Sequence, residues 1–119
     1  MQEPKSSYSA LLWLGQVVTG ILLLFTLGLH MFAHHYVVED GLRDFNQVLD
    51  YVSNPLIFVV EIVFLIVVSI HAMLGVRSIL FDLGPAESMK KVINWGVTVV
   101  GAGTIIYGIW LALEIQALS

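Results

Sequence analysis

The sequence predicts an all-α integral membrane protein: three transmembrane helices in a bundle, with a short amphipathic interfacial helix in the outer loop. Three observations carry this. The 119 residues are 58% hydrophobic and only 12% charged, with a mean hydropathy of +0.90, which leaves too little polar surface to cover a soluble core. Three apolar runs each exceed the ~20 residues that span a bilayer. Turn signals separate them, and helices are the structure that satisfies its own backbone in lipid.

The first span is read over about residues 9–38, from Ser9 to Val38. Its N-terminal flank, MQEPKSSYSALLWLG, has a single lysine and an apolar run too long for a signal peptide, so the run is expected to stay as a helix. The second span covers about 54–81, with Pro55 at its first turn, where a missing N–H costs nothing. Gly84-Pro85 closes it. The third covers about 92–118. In it Thr104, Gly108 and Ala112 recur every fourth residue, a small-residue stripe for close helix packing. The chain reads as one membrane domain, 1–119.

Between the first two spans, Leu42, Phe45, Val48 or Leu49, and Val52 recur at helical spacing, which predicts the interfacial helix. Tyr36 and Tyr51 are read as interfacial anchors, with Trp13, Trp95 and Trp110 at other span ends. Lys5, Arg77, Lys90 and Lys91 fall on one side of the membrane and Arg43 alone on the other, among Glu39, Asp40, Asp44 and Asp50. The positive-inside rule puts the N-terminus in the cytoplasm and the C-terminus outside. A net charge of −4 with five scattered basic residues argues against nucleic acid. The absence of cysteine removes thiolate chemistry, disulfides and Cys-ligated clusters.

Ionisable groups in lipid are costly unless they have a task or a partner. His71 stands inside the second span and His30 in the outer half of the first. A b haem needs axial nitrogen and a flat slot between helices. Gly75, one turn after His71 on the same face, offers backbone to a macrocycle, and Arg77 offers a cation to a propionate. Gly20 and Gly28 lighten the first span, and Leu27 and Phe32 offer apolar walls to His30. His71 lies roughly 14 Å from the cytoplasmic end of its helix and His30 roughly 30 Å. Levels on the order of 15 Å apart suit two stacked haems, each completed by another subunit, better than one shared haem.

His34 and His35 read either as interfacial polar residues or, for His34, as a propionate contact or proton-transfer group. Glu61 reads either as a proton carrier near an outer haem or as a polar group reaching for the interface. A zinc or di-iron site would call for a Glu-x-x-His motif, and there is none.

The stretch His71-Ala72-Met73-Leu74-Gly75 followed by Asp82 resembles the His-x-x-x-Gly-x6-Asp pattern in the second helix of succinate dehydrogenase (complex II) membrane-anchor subunits. TGILLLFTLGLHMFAHH resembles the first helix of the di-haem anchors of succinate:quinone oxidoreductases and fumarate reductases. The resemblance covers roughly a third of the chain. It implies His71 as axial ligand of the haem nearer the cytoplasm and His30 as ligand of an outer haem. It places Asp82 near the quinone pocket, where the anchor meets the iron–sulfur subunit. Single-haem members commonly carry a tyrosine after that Asp; here it is Leu83, so either the hydrogen bond to a quinone carbonyl comes from elsewhere or the pocket lies elsewhere.

The implied protein is a non-catalytic cytochrome b subunit of a prokaryotic cytoplasmic-membrane enzyme. With a flavoprotein subunit, an iron–sulfur subunit and a second anchor subunit, it would pass electrons from succinate to a membrane quinone. It would hold half the ligands of one or two b haems. Two alternatives stand beside it, a haem-free fumarate reductase anchor and a non-redox membrane scaffold subunit whose histidines serve only as interhelical hydrogen-bonders.

Overall fold

The computed structural model describes residues 7–37 and 44–119. Among these it has four α-helices: α1 (Ser7–Phe32), α2 (Phe45–Ser53), α3 (Pro55–Asp82) and α4 (Glu87–Ala117). Three helical stretches, Tyr8–Tyr36, Pro55–Asp82 and Glu87–Ala117, are long and apolar enough to cross a membrane. The protein is thus an all-α membrane bundle, drawn out to 58 × 24 × 21 Å.

α3 is the central helix, packed on α1 on one side and α4 on the other, with α2 folded across α3 and α4. The α1–α3 contacts run in antiparallel order. A Cβ on Gly15 would meet Leu74 at 3.3 Å, one on Gly20 would meet His71 at 3.3 Å, and His30 reaches Glu61 further along.

The expected spans hold with three differences. α1 gives way to a π-helical segment, Ala33–Val37, which nothing in the apolar pattern announced. Such wide turns are rare and recur at functional sites. α4 starts at Glu87, five residues before the expected Val92. An acidic first turn suits the helix dipole, and Lys90 Nζ stands 2.9 Å from the Glu87 carboxylate. The packing stripe on α4 also differs. Gly101 and Gly108 lie against α3, where an added Cβ would come within 2.6 Å of Met73 Sδ and of Leu65 Cδ2. Thr104 is exposed and bonds back to the Val100 carbonyl at 2.8 Å. Seven residues, two helical turns, separate the two glycines, so they share a face; Thr104, one turn from each, borders the same α3–α4 groove opposite Val68, Ala72 and Met73 without being covered.

The expected interfacial helix is α2. Asp44 caps it in a reciprocal capping box with Gln47, which satisfies two backbone donors at once. Asn54 then ends α2 and starts α3, its side chain accepting from the N–H groups of Leu56 and Ile57. Val48, Leu49 and Val52 are half-buried and Phe45 is exposed. Leu42 lies outside the described residues.

At the other end, Gly84 takes a φ of 68° that favours glycine, its N–H bonds the Phe81 carbonyl at 3.1 Å, and Pro85 follows. Few side chains are buried in this chain. The best-covered group is Ala33, Tyr51 and Ile57, where α2 folds over the outer end. Most large apolar side chains of α1 and α4 face outward, toward lipid or partner subunits.

Candidate functional site

Polar groups gather at two levels of the α1–α3 interface. His30 comes ten residues after Gly20, and Glu61 ten residues before His71. At 1.5 Å per residue the levels are therefore about 15 Å apart along the helices.

At the inner level, His71 Nδ1 lies 3.1 Å from Thr19 Oγ1. Thr19 spends its one hydroxyl proton on backbone, 2.7 Å from the Gly15 carbonyl and 3.1 Å from that of Gln16. A hydroxyl has one proton to give, so its oxygen accepts from His71, which must carry its proton on Nδ1. The lone pair then sits on Nε2, for which no hydrogen-bond partner occurs among the described residues. Gly20 makes the room: its hydrogen faces the imidazole edge, where a methyl would press on Cε1. Gly75 faces elsewhere, its missing Cβ lying 3.3 Å from Gln16 Nε2. The slot beside His71 is thus relieved by Gly20 on the opposite helix, while Gly75 admits the Gln16 amide.

At the outer level, Glu61 is a hub. Oε2 is 2.6 Å from His30 Nδ1, Oε1 accepts from the Tyr51 hydroxyl, and His34 Nε2 is 3.7 Å from Oε1. Phe64 stacks on His30 with centroids 4.5 Å apart, and the His34 ring lies tilted against it at 4.2 Å. The apolar wall is Phe64 of α3. Of the walls expected from sequence, Phe32 lines the open surface beside His30, and Leu27 does not. Glu61 does not reach for the interface; it turns into the bundle. Tyr51 is no surface anchor either. It is 6% exposed, and burial, then its bond to Glu61, hold its phenol above the ordinary tyrosine range, so it keeps its proton and donates. Tyr36, by contrast, is exposed as an anchor would be.

His30, His34 and Glu61 also bring three metal-capable atoms within 4.8 Å of one another. No Glu-x-x-His motif announced this cluster, because its members come from two helices. Its spacing favours a hydrogen bond over a shared ion. Nitrogen and oxygen ligands about 2.1 Å from a tetrahedral zinc stand roughly 3.3 Å apart, whereas Nδ1 and Oε2 are 2.6 Å apart. Around His30 the surface opens into a depression of about 720 Å³, lined by Gly28, His30, Met31, Phe32, His34, His35 and Tyr36. A Cβ on Gly28 would meet nothing within 4 Å.

Toward the inner end, a cavity of about 150 Å³ is lined by Ser9, Leu12, Trp13, Gln16, Leu74, Arg77 and Ser78. Gln16 Oε1 is buried without a hydrogen-bond partner among the described residues, a costly state for an acceptor. Arg77 is fixed by its Nε–H bond to Asn94 at 2.6 Å, with its guanidinium 4.1 Å over the Phe81 ring. Asp82 ends α3 and is exposed, an unfavourable place for a carboxylate with respect to the helix dipole. The sequence reading named His71, His30, Arg77, Gly75, Asp82, Glu61 and His34; it missed Thr19, Gln16 and Tyr51. Equal depth of Glu61 and His30, both near the outer ends of their spans, was the available signal for their pairing.

Comparison with known proteins agrees with this arrangement of helices. The family described as succinate dehydrogenase/fumarate reductase transmembrane subunit matches residues 2–110. A succinate dehydrogenase hydrophobic membrane anchor subunit of Thermoplasma acidophilum is 30% identical over 118 residues, covering 99% of this chain and 96% of that protein. Its counterpart from Archaeoglobus fulgidus is 30% identical over 115 residues, 97% of each.

Proposed function

The chain belongs to the succinate dehydrogenase/fumarate reductase transmembrane-subunit family, and we propose that it anchors such an enzyme in the membrane while holding half the ligands of two b haems and part of a quinone pocket. The observation that carries the haem reading is the pair of histidines on two levels, each engaged through Nδ1. In His71 that engagement leaves Nε2 as the atom with a free lone pair, which is what an axial ligand needs. The surroundings fit a flat group. Gly20 clears the His71 edge, and Gly28 leaves the surface beside His30 open.

A b haem, when bound, supplies one-electron transfer. This chain's residues do the positioning. Thr19 fixes the His71 tautomer, and Phe64 holds the plane of His30. Each iron would take its second axial ligand from a second anchor subunit, since His30 and His71 stand too far apart to share one. The exposed apolar faces of α1 and α4 offer surface for that neighbour and for lipid.

The quinone headgroup is assigned to the inner cavity. Leu83 cannot donate, but Gln16 brings an amide whose oxygen lacks a partner, with Ser78 and Arg77 beside it. A quinol hydroxyl would satisfy that oxygen. Asp82, at the exposed end of α3, faces the side where the iron–sulfur subunit would dock. Lys5, Arg77, Lys90 and Lys91 support an orientation with this side in the cytoplasm of a prokaryotic cell and the C-terminus outside. Glu61 and His34 remain the groups through which a proton could pass at the outer level; unchanged turnover and pH dependence in Glu61→Gln would remove that role.

The haem reading is tested by haem per flavin in the purified membrane complex. Two b haems per flavin are expected. One would leave His71 as the sole ligand of the pair, none would leave an anchor of the haem-free kind, and haem absent together with flavin would leave a scaffold.

A further inference from the structure

The two histidines are held by different chemistry. We propose that Glu61, itself held by Tyr51, is a positioning residue that orients His30 through Nδ1 and pushes electron density toward its Nε2, so that the haem at the outer level is the harder of the two to reduce. The proposal rests on the reading of His30 as an axial ligand.

A carboxylate accepts at both oxygens: the Tyr51 hydroxyl bonds Oε1, and His30 Nδ1 stands 2.6 Å from Oε2, where its N–H is given to Glu61. A histidine that gives its Nδ1–H to a carboxylate becomes a more basic ligand through Nε2. A more basic axial nitrogen stabilises ferric over ferrous iron, and hydrogen bonding behind the ligand is one of the levers a protein has on haem potential. At the inner level the acceptor is a neutral hydroxyl, Thr19 Oγ1, whose proton is passed to the Gly15 carbonyl. It gives direction with far less charge.

Tyr51 sets how much of the carboxylate reaches His30. Its donated bond draws density from Oε1 and moderates the pull on Nδ1. It also ties the level to α2, whose fold over the bundle carries Tyr51 into the interior. Phe64, stacked on the face of the ring, and His34, tilted against it, restrict rotation of the His30 imidazole and so keep Nδ1 turned to Glu61.

The experiment is a redox titration of the b haems in the whole purified complex, with low-spin haem electron paramagnetic resonance as a second readout. The unaltered complex is compared with Glu61→Gln, Tyr51→Phe and Thr19→Val. Glu61→Gln is expected to keep both haems and raise the midpoint of one, the outer, by about 59 mV, a tenfold change in the equilibrium of a one-electron couple. Tyr51→Phe is expected to move the same haem the opposite way, because the freed carboxylate pulls harder. Thr19→Val is expected to move only the other haem. If Glu61→Gln does not assemble, the downward shift in Tyr51→Phe decides alone. Unchanged midpoints in the altered complexes, or equal shifts of both haems, overturn the proposal while leaving His30 as a ligand. A single haem in the unaltered complex removes His30 as a ligand, and this inference with it.

Discussion

The inner and outer levels of the α1–α3 interface are built to the same plan from unlike parts. At the inner level a histidine meets a threonine and a glycine, the contact is small, and its last partner is backbone. At the outer level a histidine meets a carboxylate, and that carboxylate also gathers a tyrosine and a second histidine. The inner arrangement needs only two helices. The outer one needs a third, because Tyr51 arrives on α2. The difference teaches that one ligand type can be fixed either by a neutral relay into the helix backbone or by a charged group that must itself be satisfied. Only the second makes the surrounding loop part of the site.

The sharpest way to break the comparison is to remove each histidine in turn. His71→Ala should cost one b haem per flavin and leave the outer haem's spectrum in place, and His30→Ala should do the converse. Loss of both haems from either variant would mean that the levels are one site. Next in size is the packing that holds α4 on the central helix. Gly108→Leu should destabilise the complex by about 1–3 kcal/mol through overpacking against Leu65. Gly103→Ala, which faces open space, should be neutral or slightly stabilising. Thermal loss of haem absorbance reads both.

A finer probe separates the inner level from the cavity below it. Gln16→Leu should raise KM for quinol about fivefold in quinol-driven fumarate reduction, the worth of a hydrogen bond of about 1 kcal/mol, with haem content unchanged. An unaltered KM would move the headgroup out of that cavity. The smallest effect belongs to the cap of α2. Asp44→Ala should cost about 1 kcal/mol, read as faster hydrogen exchange in α2 while the amides around Thr19 and His71 keep their protection.

Much of this was legible in the sequence because lipid imposes simple rules. Length and hydropathy gave α1 and α3 nearly to their ends, Pro55 and Gly84-Pro85 bounded α3, and four spaced apolar residues announced α2. The start of α4 was missed because its first turn is charged and so escapes a search for apolar runs. The π segment, Ala33–Val37, was missed because one wider turn leaves no residue signature at helical spacing. The stripe of Thr104, Gly108 and Ala112 found the face turned to α3, but regular spacing does not say which of its members is covered: Gly108 is seated against Leu65 and Thr104 stays exposed. Depth along each helix foresaw two polar levels, yet it did not say that Glu61 turns inward. Tyr51 was misread because a tyrosine near a membrane boundary is usually an anchor; only the fold of α2 over α3 shows otherwise.

The tight turn at Gly84 has a consequence in time. Four residues, Leu83 to Ala86, join α3 to α4, while more than twenty separate the end of α1 from the start of α3. Short closures cost less chain entropy and form first. α3 and α4 therefore meet as a hairpin, with Gly101 and Gly108 seating Met73 and Leu65, before α1 docks on the other side of α3. His71 and Glu61 wait on an open helix face until Thr19 and His30 arrive. The last step of folding is the one that orients both histidines, so a chain halted before it has a membrane hairpin and no place for a cofactor.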